Sequence, residues 1–121
     1  LRLDILRTAQ SMLGKPYRYG GASPRGFDCS GLVYYAYGRA GIKVPRTARD
    51  QYRQTRTLRP DQLLPGDVLF FRIDSRDISH VGIYLGGNTF IHAPVRGKRV
   101  ERDSITSLYW KAHFVGGGRL I

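Results

Sequence analysis

Cys29, His80 and His92 are the side chains of this sequence best suited to nucleophilic attack and proton transfer near neutral pH. Cys29 lies in Phe27-Asp28-Cys29-Ser30-Gly31-Leu32-Val33 and is the only cysteine. Taken alone, a lone cysteine reads as a small buried core residue. The two histidines downstream change that reading, because a thiol followed by two imidazoles supplies a nucleophile, a base and a residue that orients the base. Cys29 would attack a carbonyl carbon. His80 would take the thiol proton, form a thiolate–imidazolium pair and later protonate the leaving amine. His92 would hydrogen-bond the other ring nitrogen of His80 and fix its tautomer. The Cys29 backbone N–H, with a hydroxyl or amide from the preceding loop, would hold the oxyanion. Cys29, His80 and His92 are also residue types that ligate zinc. The helix-start setting of the cysteine favours the nucleophile, so no metal and no other cofactor is expected. His113 has no evident partner and reads as structural.

That setting comes from local pattern. Pro24 and Gly26 read as loop, whereas Leu32, Val33, Ala36 and Ala40 recur at helical spacing. Asp28 is then the candidate N-cap, Cys29 sits at the first helical position, and Gly41 is the C′ residue. Outward-facing N–H groups and the helix dipole at that end favour a thiolate over a thiol. An earlier helix carries Ile5, Leu6, Ala9, Met12 and Leu13 on one face and stops at Gly14 and Pro16. Residues 15–27 read as an irregular loop. Thr47 and Asp50 cap a short helix through Gln51 and Tyr52.

Beyond residue 60 the pattern becomes that of strands. Val68-Leu69-Phe70-Phe71 reads as a buried strand after the turn at Leu64-Pro65-Gly66-Asp67. Residues 80–85 alternate, and Gly86-Gly87-Asn88 turns the chain into Thr89-Phe90-Ile91-His92-Ala93. A three-residue loop there pairs Leu85 with Thr89, Ile83 with Ile91 and Gly82 with His92. His80 and His92 then share a sheet face about 7–8 Å apart at the backbone, with Gly82 leaving room beside His92. Val100 to Arg102 and His113 to Val115 suggest further strands, with Ile105 to Trp110 unassigned. Helices first and an antiparallel sheet after them make an α+β fold.

The length, 121 residues, suits one domain spanning 1–121, able to bury about 60–70% of its unfolded surface. Hydrophobic content of 41% and eight tyrosines indicate a packed core and exclude disorder. A single cysteine excludes an intrachain disulfide, and no apolar run approaches the length of a membrane span. Residue 1 reads as mid-protein, so a leader or preceding segment is expected to have been removed. The net charge of +11 calls for an anionic partner. The arginines are scattered from Arg2 to Arg119 with no dense block or RNA-binding signature, which argues against nucleic acid, but charge alone does not choose among an acidic membrane surface, a polyanionic polymer such as cell wall and a generally solvated basic surface.

Pro16-Tyr17-Arg18-Tyr19-Gly20-Gly21, Asp28-Cys29-Ser30-Gly31-Leu32-Val33, Pro45-Arg46-Thr47, Leu64-Pro65-Gly66-Asp67-Val68-Leu69-Phe70-Phe71 and Ser79-His80-Val81-Gly82-Ile83-Tyr84 together resemble the successive motifs of the NlpC/P60 cysteine peptidases. The resemblance runs from Leu13 to the C-terminus, in the family's order and with the papain-like order of Cys before His. It implies a papain-like fold with N-terminal helices packed on a central antiparallel sheet. It also implies a bacterial, extracytoplasmic peptidoglycan hydrolase that cleaves the stem peptide, typically at the amide between γ-linked D-glutamate and the following diamino acid. Cys29, His80 and His92 fall on the family's nucleophile, base and third polar residue. Tyr17 falls on a tyrosine that helps hold oxyanion or substrate. Asp28 and Ser30 match residues that meet the free amine of trimmed stem peptides, and each has a structural reading, as helix cap and first-turn residue. Arg46 has two readings, a substrate carboxylate partner or a packing residue. The alternatives are a related Cys/His amidase or acyltransferase, and a non-catalytic basic wall-binding module.

Overall fold

The computed structural model describes residues 1–121. Helix α1 (Arg2–Ser11) buries Ile5 and Ala9, with Leu6, Met12 and Leu13 packed beside them. A small hairpin, β1 (Ala22–Ser23) and β2 (Gly26–Phe27), lies inside what reads as loop in the sequence. Helix α2 (Cys29–Arg39) starts at the Asp28 cap, where the Gly31 N–H donates to Asp28 Oδ1 at 2.7 Å. It ends at Gly41, whose φ of +85° is the left-handed conformation expected of a C′ glycine. Helix α3 (Ala48–Gln54) is capped by the Thr47 hydroxyl, which accepts from the Asp50 N–H.

The remaining chain builds an antiparallel sheet from β3 (Arg56–Leu58), β4 (Val68–Phe71), β5 (His80–Gly86), β6 (Thr89–His92), β7 (Glu101–Ser104) and β8 (Phe114–Arg119), in the order β3-β8-β4-β5-β6-β7. The expected α+β architecture is present. Strand β4 is buried along its whole length because both faces are covered. Val68 and Phe70 meet α1, α2 and the inner residues of β5 and β6, while Leu69 and Phe71 join Phe90 on the opposite face. That second face is closed by Trp110 of a short helix, α4 (Leu108–His113), which begins in the stretch that the sequence leaves unassigned and takes in His113, expected in a strand; β8 starts one residue later. Each of these large apolar side chains contributes about 1.5–3 kcal/mol on burial.

Asp67, fully buried, ties the two ends of the chain to the start of β4. Its carboxylate accepts from Arg2 at 3.0 Å and from Arg119 at 3.0 and 2.9 Å, and the Leu64 N–H adds a fourth bond. Burial alone would raise its pKa, but the Arg119, Leu64 and Arg2 donors outweigh it and hold the carboxyl below the usual carboxylate range. The resulting stabilisation is present above the ordinary aspartate pKa and is lost as pH falls through the depressed one.

The β5–β6 hairpin differs from the expected one in an instructive way. Ile83 pairs with Ile91 as expected, but Gly86, not Leu85, stands opposite Thr89. The turn is therefore two residues, Gly87 and Asn88, both at positive φ, as a type I′ turn requires. A two-residue loop by itself would reverse the parity, but a bulge between Tyr84 and Gly86 restores it. The two histidines thus share a face after all. Gly82 is required there, since a Cβ on it would lie 2.7 Å from the Phe90 ring and 3.3 Å from the His92 Cβ.

Candidate active site

Cys29 is the first residue of α2 and half-buried. Its thiol donates weakly to the Ser79 carbonyl at 3.9 Å, and the Val81 N–H is directed at the sulfur. The sulfur therefore rests against the main chain on either side of His80. Burial is the largest influence on the thiol and pushes it up to about 11; the Val81, Ser30 and Cys29 N–H groups pull it down, and the neighbouring Asp28 pushes it up. The pull toward a thiolate expected of the helix start is present but is not the largest influence. The helix start does supply N–H groups, but desolvation of the charged form outweighs them. Cys29 rests as a neutral thiol at neutral pH.

His80 and His92 are both buried, and their rings meet edge to face with Nε2 of His80 and Nδ1 of His92 2.7 Å apart. This is the only side-chain hydrogen bond of His80, so its Nδ1, the ring nitrogen nearer the main chain on which the sulfur rests, has no partner within the protein. Burial holds His80 well below the usual histidine range, with His92 lowering it further, and burial takes His92 down to about 4. Both imidazoles are neutral at neutral pH. The resting site is thus a neutral thiol beside a neutral base, and the proton must move as the sulfur attacks.

Two residues that sequence reasoning did not single out complete the surroundings. Asp103 on β7 accepts from His92 Nε2 at 2.7 Å, extending the chain to His80–His92–Asp103. Trp110 stacks on His80 with ring centroids 5.3 Å apart and meets His92 edge-on at 4.7 Å. The signals available were slight. Asp103 alternates with Glu101 on a strand that was expected to end at Arg102, and Trp110 is the lone tryptophan in the unassigned stretch.

Tyr17 is held by main-chain pairing, its N–H donating to Lys98 and its backbone bridging Phe27. Its phenol makes no hydrogen bond to the protein and is raised by burial first, then by the nearby Cys29 and Asp28. Asp28, Ser30 and Arg46 engage one another. Arg46 forks onto both carboxylate oxygens of Asp28 at 3.0 Å and also donates to the Ser30 hydroxyl at 2.9 Å and the Gly21 carbonyl at 3.3 Å. Asp28 additionally accepts from the N–H groups of Gly20 and Gly31. The cluster locks the loop before Cys29 onto the start of α2. His113 donates its Nδ1–H to the Arg72 carbonyl at 2.9 Å.

The side chains grouped as a metal centre would be are His92, Glu101 and Asp103, with donor atoms within 4.8 Å of one another. His92 and Asp103 spend those atoms on each other, so the group is a hydrogen-bonded chain. Cys29 and His80 lie outside it.

The NlpC/P60 family matches residues 14–119. Murein DD-endopeptidase MepH of Escherichia coli (strain K12) is 46% identical over 114 residues, covering 90% of this chain and 42% of that protein. The bifunctional muramidase/DL-endopeptidase CwlT of Bacillus subtilis (strain 168) is 36% identical over 119 residues, 96% of this chain and 36% of that protein. Both relatives are more than twice as long as the stretch they share with it. A crystal structure of a lipoprotein-like NLP/P60 protein from Staphylococcus aureus subsp. aureus Mu50 superposes with a TM-score of 0.90 at 40% identity, covering 99% of this chain and 41% of that one. The sheet order, the cysteine at the helix start and these matches agree, and the chain belongs to the NlpC/P60 family.

Proposed function

We propose that residues 1–121 form a single catalytic domain that hydrolyses the stem peptides of peptidoglycan, with Cys29 as nucleophile, His80 as base and His92 as the residue that orients it. The observation that carries this reading is the buried 2.7 Å contact between the two imidazoles, which occupies His80 Nε2 and leaves Nδ1 unpartnered on the residue whose flanking main chain the half-buried thiol touches. As the sulfur bonds to the substrate carbonyl carbon, its proton passes to His80 Nδ1. The carbonyl oxygen, now an oxyanion, is met by the Cys29 N–H and the Tyr17 hydroxyl. Collapse expels the amine, which takes the proton from His80 and leaves a thioester. Water, deprotonated by the same nitrogen, attacks the thioester and releases the acid. Because Asp28, Ser30 and Arg46 already satisfy one another, we assign them the placement of the Tyr17 loop, and a substrate amine would have to compete with Arg46 for the carboxylate.

The bond we favour is the amide between D-γ-glutamate and the diamino acid. A second reading, cleavage of D,D cross-links, is supported by the name and identity of MepH. The work is extracytoplasmic in either case, and no helix is long and apolar enough to cross a membrane. Digestion of purified muropeptides, read by mass spectrometry, tests the proposal. Disaccharide carrying only L-Ala–D-Glu supports the first bond, and cross-linked dimers converted to intact monomers support the second. Release of whole stem peptides from the sugar would mean an amidase, and binding without turnover would mean a wall-binding module.

A further inference from the structure

We propose that Asp103 is a positioning residue that sets the direction of the hydrogen-bond chain through His92 to His80. The inference rests on the assignment of Cys29 and His80 as nucleophile and base. A neutral imidazole is donor on one nitrogen and acceptor on the other, so a chain of two can run either way. In one direction His92 accepts from His80 Nε2–H, and His80 Nδ1 presents a bare lone pair. In the other, His92 donates to His80 Nε2, Nδ1 carries the hydrogen, and His80 cannot take the thiol proton. Nothing in the pair itself selects between the two.

Asp103 breaks that symmetry. A carboxylate only accepts, and it lies 2.7 Å from His92 Nε2. The hydrogen of His92 is therefore on Nε2, its Nδ1 is the acceptor, and the hydrogen of His80 is drawn to Nε2 on the far side from the sulfur. Two further features support the choice. His92 is fully buried and its protonation is pushed down to about 4, so it remains a one-hydrogen ring and does not donate from both nitrogens. Trp110 and Phe90 pack on the ring at centroid distances of 4.7 and 4.5 Å and hold its plane. A carboxylate at position 92 would accept from His80 without help; a histidine there needs a fourth residue to tell it which way to point.

The direct test is nitrogen-15 NMR of histidine-labelled protein at neutral pH, where long-range ring couplings identify tautomers. Both His80 and His92 are expected as Nε2–H tautomers, and a wild-type spectrum with His80 as Nδ1–H overturns the inference. Kinetics on a muropeptide provide the second readout. Asp103→Asn, whose amide can donate, is expected to lower kcat about 10- to 100-fold with KM within about twofold, and Asp103→Glu to recover most of the loss. In a His92→Asp background, where the carboxylate can only accept from His80, Asp103→Asn should change kcat by less than about twofold. The same loss in both backgrounds would make Asp103 structural and overturn the proposal. If Asp103→Asn does not fold, the tautomers of the unaltered protein still decide. An unaltered protein that cleaves no muropeptide would overturn the proposed function, whereas one that does so with the wrong tautomers overturns only this inference.

Discussion

The thiol of Cys29 pulls in two directions at once: the start of α2 offers it N–H groups, and its surroundings take water away from it. With the pKa pushed up to about 11, the second effect prevails. Since a raised thiol pKa moves thiolate formation to higher pH, the wild-type protein minus Cys29→Ala should show no thiolate absorbance near 240 nm between pH 6 and 8, with the signal rising only in alkali. A thiolate plateau already present at pH 6 would contradict the neutral pair. This is a residue-scale matter that the sequence could not reveal, because the sequence shows a helix start but not how much protein is packed around it. What it did show was which three residues to compare. Cys29, His80 and His92 differ from other candidates by their positions on punctuated, strongly patterned segments. Asp103 and Trp110 lie where patterning is weak, and only tertiary packing brings them to the imidazoles.

At the scale of elements, the site depends on a close approach between the Tyr17 loop and the first turn of α2. A Cβ on Gly31 would run into the Gly21 carbonyl and reach within 2.8 Å of Asp28 Oδ1, whereas one on Gly38, farther along the same helix, meets nothing within 4 Å. The two glycines therefore make opposite predictions. Gly38→Ala should stabilise by about 0.5–1 kcal/mol through helix propensity, while Gly31→Ala should destabilise by about 1–3 kcal/mol and lower activity further by displacing Tyr17. Denaturant midpoints of the two variants check this, and equal shifts of the same sign would refute the close contact. The helices were legible because their caps are written in local residue types: Asp28, Gly41, Thr47. The β5–β6 hairpin was legible in its consequence but not its cause. Gly86-Gly87-Asn88 fits either a three-residue loop or a two-residue turn with a bulge, and both put the histidines on one face. Strand β8 was expected to stop near Val115 because glycine disfavours strands, yet Gly116, Gly117 and Gly118 continue it between β3 and β4.

Across the whole molecule the charge of +11 is unevenly spread. Arg49 and Arg53 of α3 and Arg72 and Arg76 of the β4–β5 connection line one concavity, in which Asp77 is the only acid. Sequence order hid this grouping, since the pairs are some twenty residues apart and only the fold joins them. A surface of that kind would attract polymers bearing carboxylates and phosphates, and salt would screen the attraction. Activity on intact sacculi should accordingly fall more steeply with added salt than activity on small muropeptides, and equal sensitivity on both would remove that role for the charge.

The central claim, that the Cys29 sulfur becomes acylated by a stem peptide, is tested most directly by intact-protein mass spectrometry of a rapidly acid-quenched reaction with muropeptide. The account predicts a transient adduct with the mass of the acyl half of the cleaved substrate, located on Cys29 and absent from Cys29→Ala. Turnover by the Cys29→Ala protein at the wild-type rate, with no adduct at any quench time, would contradict it.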